Sequence, residues 1–134
     1  MVDPRKTIVY QWLAAGDAGD IDAFDDLLHA DSIVHAPLGL STTSAEDEKV
    51  VWRDAREAMP DIRHDVQEVV VDGAVEMARV VVTGTLTSGF AGIEGSGRSF
   101  RIDQAVIVHL RDGKIAEAWE IADVTPLRAA QTRP

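Results

Sequence analysis

The chain has 134 residues, 46% of them apolar and 27% charged, enough for one globular domain spanning residues 1–134 and too few for two. Its net charge of −10, from 23 acidic and 13 basic residues, repels phosphate backbones and anionic lipids, so neither nucleic acid nor a membrane surface is an expected partner. Cysteine is absent, which excludes disulfides, thiolate nucleophiles and Cys-based metal sites.

No apolar run approaches the roughly 20 residues of a membrane span. The opening Met1-Val2-Asp3-Pro4-Arg5-Lys6 lacks the apolar core of a secretory leader, so a cytoplasmic location is expected. Asp3 and Pro4 read as the cap and first residue of a helix that carries Ile8, Val9, Trp12 and Leu13 on one face and ends at Gly16. A shorter helix places Phe24, Leu27 and Leu28 on a second apolar face. Ile33-Val34-His35 then forms a brief strand halted by Pro37. Thr43 and Glu46 have the spacing of a capping box, which predicts a third helix burying Val50, Val51, Ala55 and Ala58 and stopping before Pro60.

From Ile62 onward the apolar period changes from helical to alternating. Four strands are predicted, at about 62–71, 75–86, 99–110 and 114–123. Asp72-Gly73 and Asp112-Gly113 serve as turns, and 88–98 forms a Gly-rich, mobile rim. Helices followed by an antiparallel meander give an α+β domain with the helices on one sheet face. The segment after Thr125 carries little pattern and is expected to fray or wrap a neighbour.

Several short motifs fall in a familiar order. They are Gly16-Asp17 with Ala23-Phe24, Val34-His35-Ala36-Pro37, Met59-Pro60-Asp61-Ile62-Arg63, and Arg79 through Thr83-Gly84-Thr85. Gly89-Phe90-Ala91-Gly92-Ile93 with Gly97-Arg98 follows, and then Asp112-Gly113-Lys114-Ile115 through Trp119 and Asp123. In these the chain resembles the SnoaL-like polyketide cyclase and ester cyclase family of the nuclear-transport-factor-2-like superfamily. The resemblance implies a cone-shaped fold in which a curved, mostly antiparallel sheet is packed by three N-terminal helices around a pocket for an apolar small molecule. It implies no cofactor and no metal, and a homodimer formed through the outer sheet face. The fold hosts isomerases, cyclases, hydrolases and non-catalytic binders, so reaction class does not follow from it.

In the anthracycline cyclases of that family an Asp on the last strand is the general acid/base for an intramolecular aldol closure. Aligned without gaps through Asp112-Gly113-Lys114-Ile115, its position is Glu120. The Arg-x-Asp of limonene-epoxide-hydrolase relatives falls on Arg79-Val80-Val81, without the second carboxylate. Their water-holding Asn falls on His35. A cyclase His is replaced by Val106, and an ester-cyclase His by Leu86.

The register of the last hairpin decides where Glu120 points. A two-residue turn sets Ala105 opposite Glu120; a three-residue loop sets Gln104 there. The second choice gathers Phe100, Ile102, Gln104, Val106, Val108, Ala116, Ala118, Glu120 and Ala122 on one face, and it is adopted because that face is the apolar one. Glu120 then sits in a cavity as the candidate catalytic group, its carboxyl pKa raised by desolvation. The alternative is a solvated carboxylate or a pair with Arg79. Gln104, His35, Arg79 and His64 are the candidate substrate-binding residues. Gln104 could orient a carbonyl oxygen, and His35 could hold water or lie at the surface. His64 shares a strand face with Ile62 and Val66, and Arg79 could neutralise an enolate or pair with Glu120 or Glu68. Four His residues without H-x-H or H-x3-H spacing make no metal site. Three functions remain open: a cyclase or isomerase, an epoxide hydrolase, and a non-catalytic binding protein.

Overall fold

The structure, a computed structural model, describes residues 2–132. Pro4–Lys6 form one 3₁₀ turn capped by the Asp3 carboxylate, and Thr7 then caps helix α1 (Ile8–Ala18) through its hydroxyl. The helix runs past Gly16, which was expected to end it, and stops at Gly19 in the left-handed conformation, φ 76°. Gly16 has a different task. A Cβ at this position would lie 2.3 Å from the Trp52 ring, so its missing side chain is what lets Trp52 approach α1.

A 3₁₀ turn at Ile21–Ala23 and the one-turn helix α2 (Phe24–Leu27) lead into strand β1 (Leu28–His35). Leu28 therefore belongs to the strand, not the helix. Helix α3 (Ala45–Ala58) is capped by Ser44, whose hydroxyl accepts from the Asp47 amide, one residue later than the Thr43 box predicted. Its buried face is Glu48, Lys49, Trp52, Ala55 and Ala58. Val50, expected inside, is 52% exposed.

The four remaining strands are β2 (Arg63–Asp72), β3 (Val75–Leu86), β4 (Arg98–Arg111) and β5 (Lys114–Ala122), within a residue or two of expectation. The sheet order is β1-β5-β4-β3-β2, antiparallel except where β1 joins β5 in parallel. Where fraying was expected, Thr125–Gln131 is a helix, α4, packed on β4 with Leu127 buried. Gln131 accepts from the Ser96 amide and hydroxyl, tying α4 to the loop between β3 and β4. Within that loop Phe90 and Ile93 exchange backbone hydrogen bonds around Ala91-Gly92.

The β4–β5 hairpin reaches the expected facing by another route. Asp112 and Gly113, both at positive φ, make a two-residue turn that pairs Arg111 with Lys114. The register then slips between His109 and Leu110, so Ala116 is the extra residue of a bulge. Glu120 consequently pairs with Val106 and Gln104 with Ala122, making Gln104 a diagonal neighbour of Glu120. The bulge restores the parity that the tight turn alone would have reversed.

Helix α1 is anchored from the far end of β3. The Glu76 carboxylate, 5% exposed, accepts the Val9 amide at 2.8 Å and so occupies an unpaired donor at the positive end of the helix. Glu76→Ala should cost about 1–2 kcal/mol of stability, measured by urea unfolding, with an unchanged m-value.

Candidate functional site

Between the concave sheet face and the helices lies a cavity of about 110 Å³. Its floor is Val82 from β3, Phe100, Ile102 and Gln104 from β4, and Glu120 and Ala122 from β5. Helix α3 contributes Glu48, Val51, Trp52 and Ala55, and α4 contributes Leu127. The mouth is bordered by Pro37, Leu38 and Leu40 on one side and Phe90 on the other. Of the lining residues only Glu48, His64 and Glu120 are titratable, and none is a Lys or Arg.

Glu120 faces this space. Among the described residues its carboxyl has no hydrogen bond and no ion pair. Burial pushes its pKa up to about 8, and the neighbouring Glu48 adds to the shift. The residue is half-buried and turns its accessible surface to the cavity. Gln104 lines the same cavity, and its side-chain oxygen is buried without a partner. An acceptor in that position is open to a ligand's hydroxyl.

Glu48 is the lining residue that sequence reading missed. It is 2% exposed, yet both carboxylate oxygens are bonded: Oε1 accepts from the Thr42 hydroxyl at 3.0 Å and Oε2 from the Trp52 indole at 2.9 Å. Burial raises its pKa, and the two bonds oppose the rise. Trp52 also packs edge-on to Trp12 and Phe24, with ring centroids 6.3 and 5.8 Å apart, and lies 5.0 Å from the His64 ring.

His64 reaches the cavity wall but is tied down behind. Its Nδ1 lies 2.7 Å from Asp17 Oδ1, and its backbone amide donates to Oδ2 of the same carboxylate. The remaining two candidates lie outside the cavity. His35 is outward on β1, about half exposed, with Nε2 2.7 Å from Glu117 and its ring stacked on Trp119. Arg79 is outward on β3, 60% exposed, its Nε donating to Glu68 at 3.0 Å. Strand parity explains both: Val34 beside His35, and Ala78 and Val80 beside Arg79, take the inward positions.

With that geometry in place, comparison with known proteins is informative. No curated protein matches the chain. Among solved structures, IdmH of Streptomyces antibioticus, a candidate polyketide cyclase, is 26% identical, with a TM-score of 0.80 over 96% of this chain and 98% of its own. TsrD of Streptomyces laurentii is 24% identical, with a TM-score of 0.84 over 98% of each chain. A candidate SnoaL-like polyketide cyclase from Jannaschia sp. CCS1 is 19% identical, with a TM-score of 0.85 over 95% of this chain and 91% of its own. The last two likenesses speak for the fold alone. The family model described as SnoaL-like polyketide cyclase matches residues 7–131, from the cap of α1 through the last residue of α4, and the chain belongs to that family.

Proposed function

We propose that the cavity is the active site of a cyclase or isomerase that acts on an uncharged, carbonyl-bearing, polyketide-like substrate without a cofactor, with Glu120 as the general acid/base. The observation that carries this reading is a carboxyl among apolar side chains with no cation beside it; burial pushes its pKa up to about 8, which suits a group that both gives and takes a proton. In an aldol closure the enol carbon bonds to the acceptor carbonyl carbon. The acceptor oxygen takes the Glu120 proton, and the enol O–H proton goes to the Glu120 carboxylate as its electron pair forms the new carbonyl. One carboxyl thus completes the cycle, with the Gln104 oxygen available to a substrate hydroxyl. Two buried carboxyls and no cation disfavour an anionic substrate. The cavity is also smaller than the roughly 300–1,000 Å³ usual for ligand pockets, which favours a compact substrate or a rim that parts around Phe90 and Leu38.

Epoxide hydrolysis is the weaker reading, because His35, its expected water holder, lies outside the cavity. A purely binding role is disfavoured by Glu120 itself, which a binder would place in solvent or in an ion pair. The test is α-proton exchange of a compact bicyclic ketone, 2-tetralone, in D₂O. Catalysed exchange that disappears in Glu120→Gln supports the acid/base reading, and exchange no faster than in buffer overturns it.

The same reading includes a homodimer. The outer sheet face exposes Ile33, Met77 and Ile121 beside the partly covered Ile107 and Trp119, an apolar patch that a monomer would leave in water. Light scattering at micromolar concentration should give the dimer mass. Ile121→Asp, which sets two symmetry-related carboxylates into that face, should weaken association by at least about tenfold. A monomer mass for the unsubstituted protein would rule the dimer out.

A further inference from the structure

Two carboxyls share this cavity, and their surroundings are unequal. Glu48 receives a hydrogen bond on each oxygen, from Thr42 and from Trp52. The indole N–H is a donor only, so Oε2 must be an acceptor there. Glu120 receives no such bond among the described residues, and its neighbours on β5 and across the hairpin are Ala118, Ala122 and Val106. Lys49, the cation next to Glu48 in sequence, is turned away to Asp25 and Glu46, at 2.7 and 2.8 Å. Arg56, two turns further along α3, donates to the Asp17 carbonyl instead. Among the described residues the only other titratable group on the cavity is His64, which is held by Asp17.

Two like charges in a low-dielectric space do not ionise independently, and the first proton leaves the member whose anion is better solvated. Here that member is Glu48. We propose that Glu48 is a positioning residue for the chemistry at Glu120: it holds the pair's single negative charge, so that Glu120 is the member left with a proton to give to substrate. This rests on the acid/base reading of Glu120 and adds how the protein fixes the order of ionisation. Helix α3, through Ser44 and the buried Trp52, delivers the controlling charge; the strand delivers the reacting group. Glu48 and its two donors, Thr42 and Trp52, fall at i+6, i and i+10. The i, i+4 step between Glu48 and Trp52 puts both side chains on the buried face of α3.

Glu48→Gln removes the charge and keeps the contacts. Its amide oxygen can accept from Trp52, and its amide N–H can donate to the Thr42 hydroxyl oxygen. Carbon-13 titration of the Glu120 carboxyl is the direct readout and needs no substrate. In Glu48→Gln the Glu120 midpoint should fall by about one pH unit or more while staying above that of a free glutamate, because desolvation persists. Glu48→Met, which removes the charge at nearly the same volume, should move it in the same direction. It serves as the readout if Glu48→Gln does not fold. In the 2-tetralone exchange assay Glu120 must be ionised to take the α-proton, so the rising limb of the pH profile should shift downward with the midpoint, a movement that loss of packing alone does not produce. An unmoved Glu120 midpoint in a folded Glu48→Gln or Glu48→Met protein overturns the role of Glu48 and leaves the acid/base reading standing. A wild-type Glu120 midpoint at the free value of about 4.3 overturns both.

Discussion

Glu120→Gln should lower acid/base turnover by about 10²–10⁴-fold while leaving the fold intact. The amide has nearly the shape of the carboxyl but cannot cycle a proton, and no partner is lost, because no ion pair or hydrogen bond to the Glu120 carboxyl is present among the described residues. In the wild type, activity that needs the protonated carboxyl should hold through neutrality and decline above pH about 8. Stability should change in a related way. The folded pKa lies above the ordinary value of 4.5, so the folded state holds a proton that the unfolded chain has released between these two values. Wild-type stability is therefore undiminished by this group below pH 4.5 and is lost progressively as pH rises toward 8. Glu120→Gln has no such term, so its thermal midpoint relative to wild type should rise across that window and level off above it. Paired melts at pH 4 and pH 8.5 measure the difference. A gap that is constant with pH would place the carboxyl in solvent.

A second large effect is expected far from any titrating group. Gly16→Ala should destabilise the protein by roughly 1–3 kcal/mol, although Ala is the better helix former by about 1 kcal/mol at an unstrained position. The new Cβ would meet Trp52 Cε3 and Cζ3 at 2.3 Å, and the ring has little room to retreat. Trp12 and Phe24 contact it edge-on, His64 lies beyond, and its indole nitrogen is bonded to Glu48. Any shift of Trp52 therefore strains the Glu48 contact as well as the core. Urea unfolding should show the stability loss, and the Trp fluorescence of the folded state should change. Equal or greater stability in Gly16→Ala would mean that α1 and α3 lie further apart than the structure places them.

Much of this protein was legible in the sequence, and the reason is periodicity. Alternation of period two places four of the five strands and separates their faces, because each strand has one side against helices and the other outward. It also turns Glu120 inward: Ala118 and Ala122 flank it, and a carboxyl between small apolar residues on the apolar face has few other positions to take. Local pattern was a poorer guide wherever a distant partner decided the outcome. Gly16 reads as a helix stop, yet α1 continues, because the glycine is needed to admit Trp52 from a helix some thirty residues later in the chain. The tail reads as patternless, yet it is helical, because β4 offers Leu127 a surface to bury. The hairpin register depended on a bulge at Ala116, and tight-turn chemistry at Asp112-Gly113 carries no sign of it.

The site shows the same division. His35 and Arg79 were drawn toward the pocket by alignment, while strand parity and the outward partners Glu117 and Glu68 hold them away from it. Glu48 sits in the run Glu46-Asp47-Glu48-Lys49, which reads as a solvated helix start. Only its placement four residues before Trp52, on the helix's buried face, hinted otherwise. The sequence by itself determined the order of helices and strands, since it follows from short-range patterns of apolar residues, while the facing of Glu120 was drawn from those patterns together with the family resemblance. The tertiary structure decided the second carboxyl and the pocket's membership, since a buried charge is tolerated only where donors from other parts of the chain, here Thr42 and Trp52, converge on it.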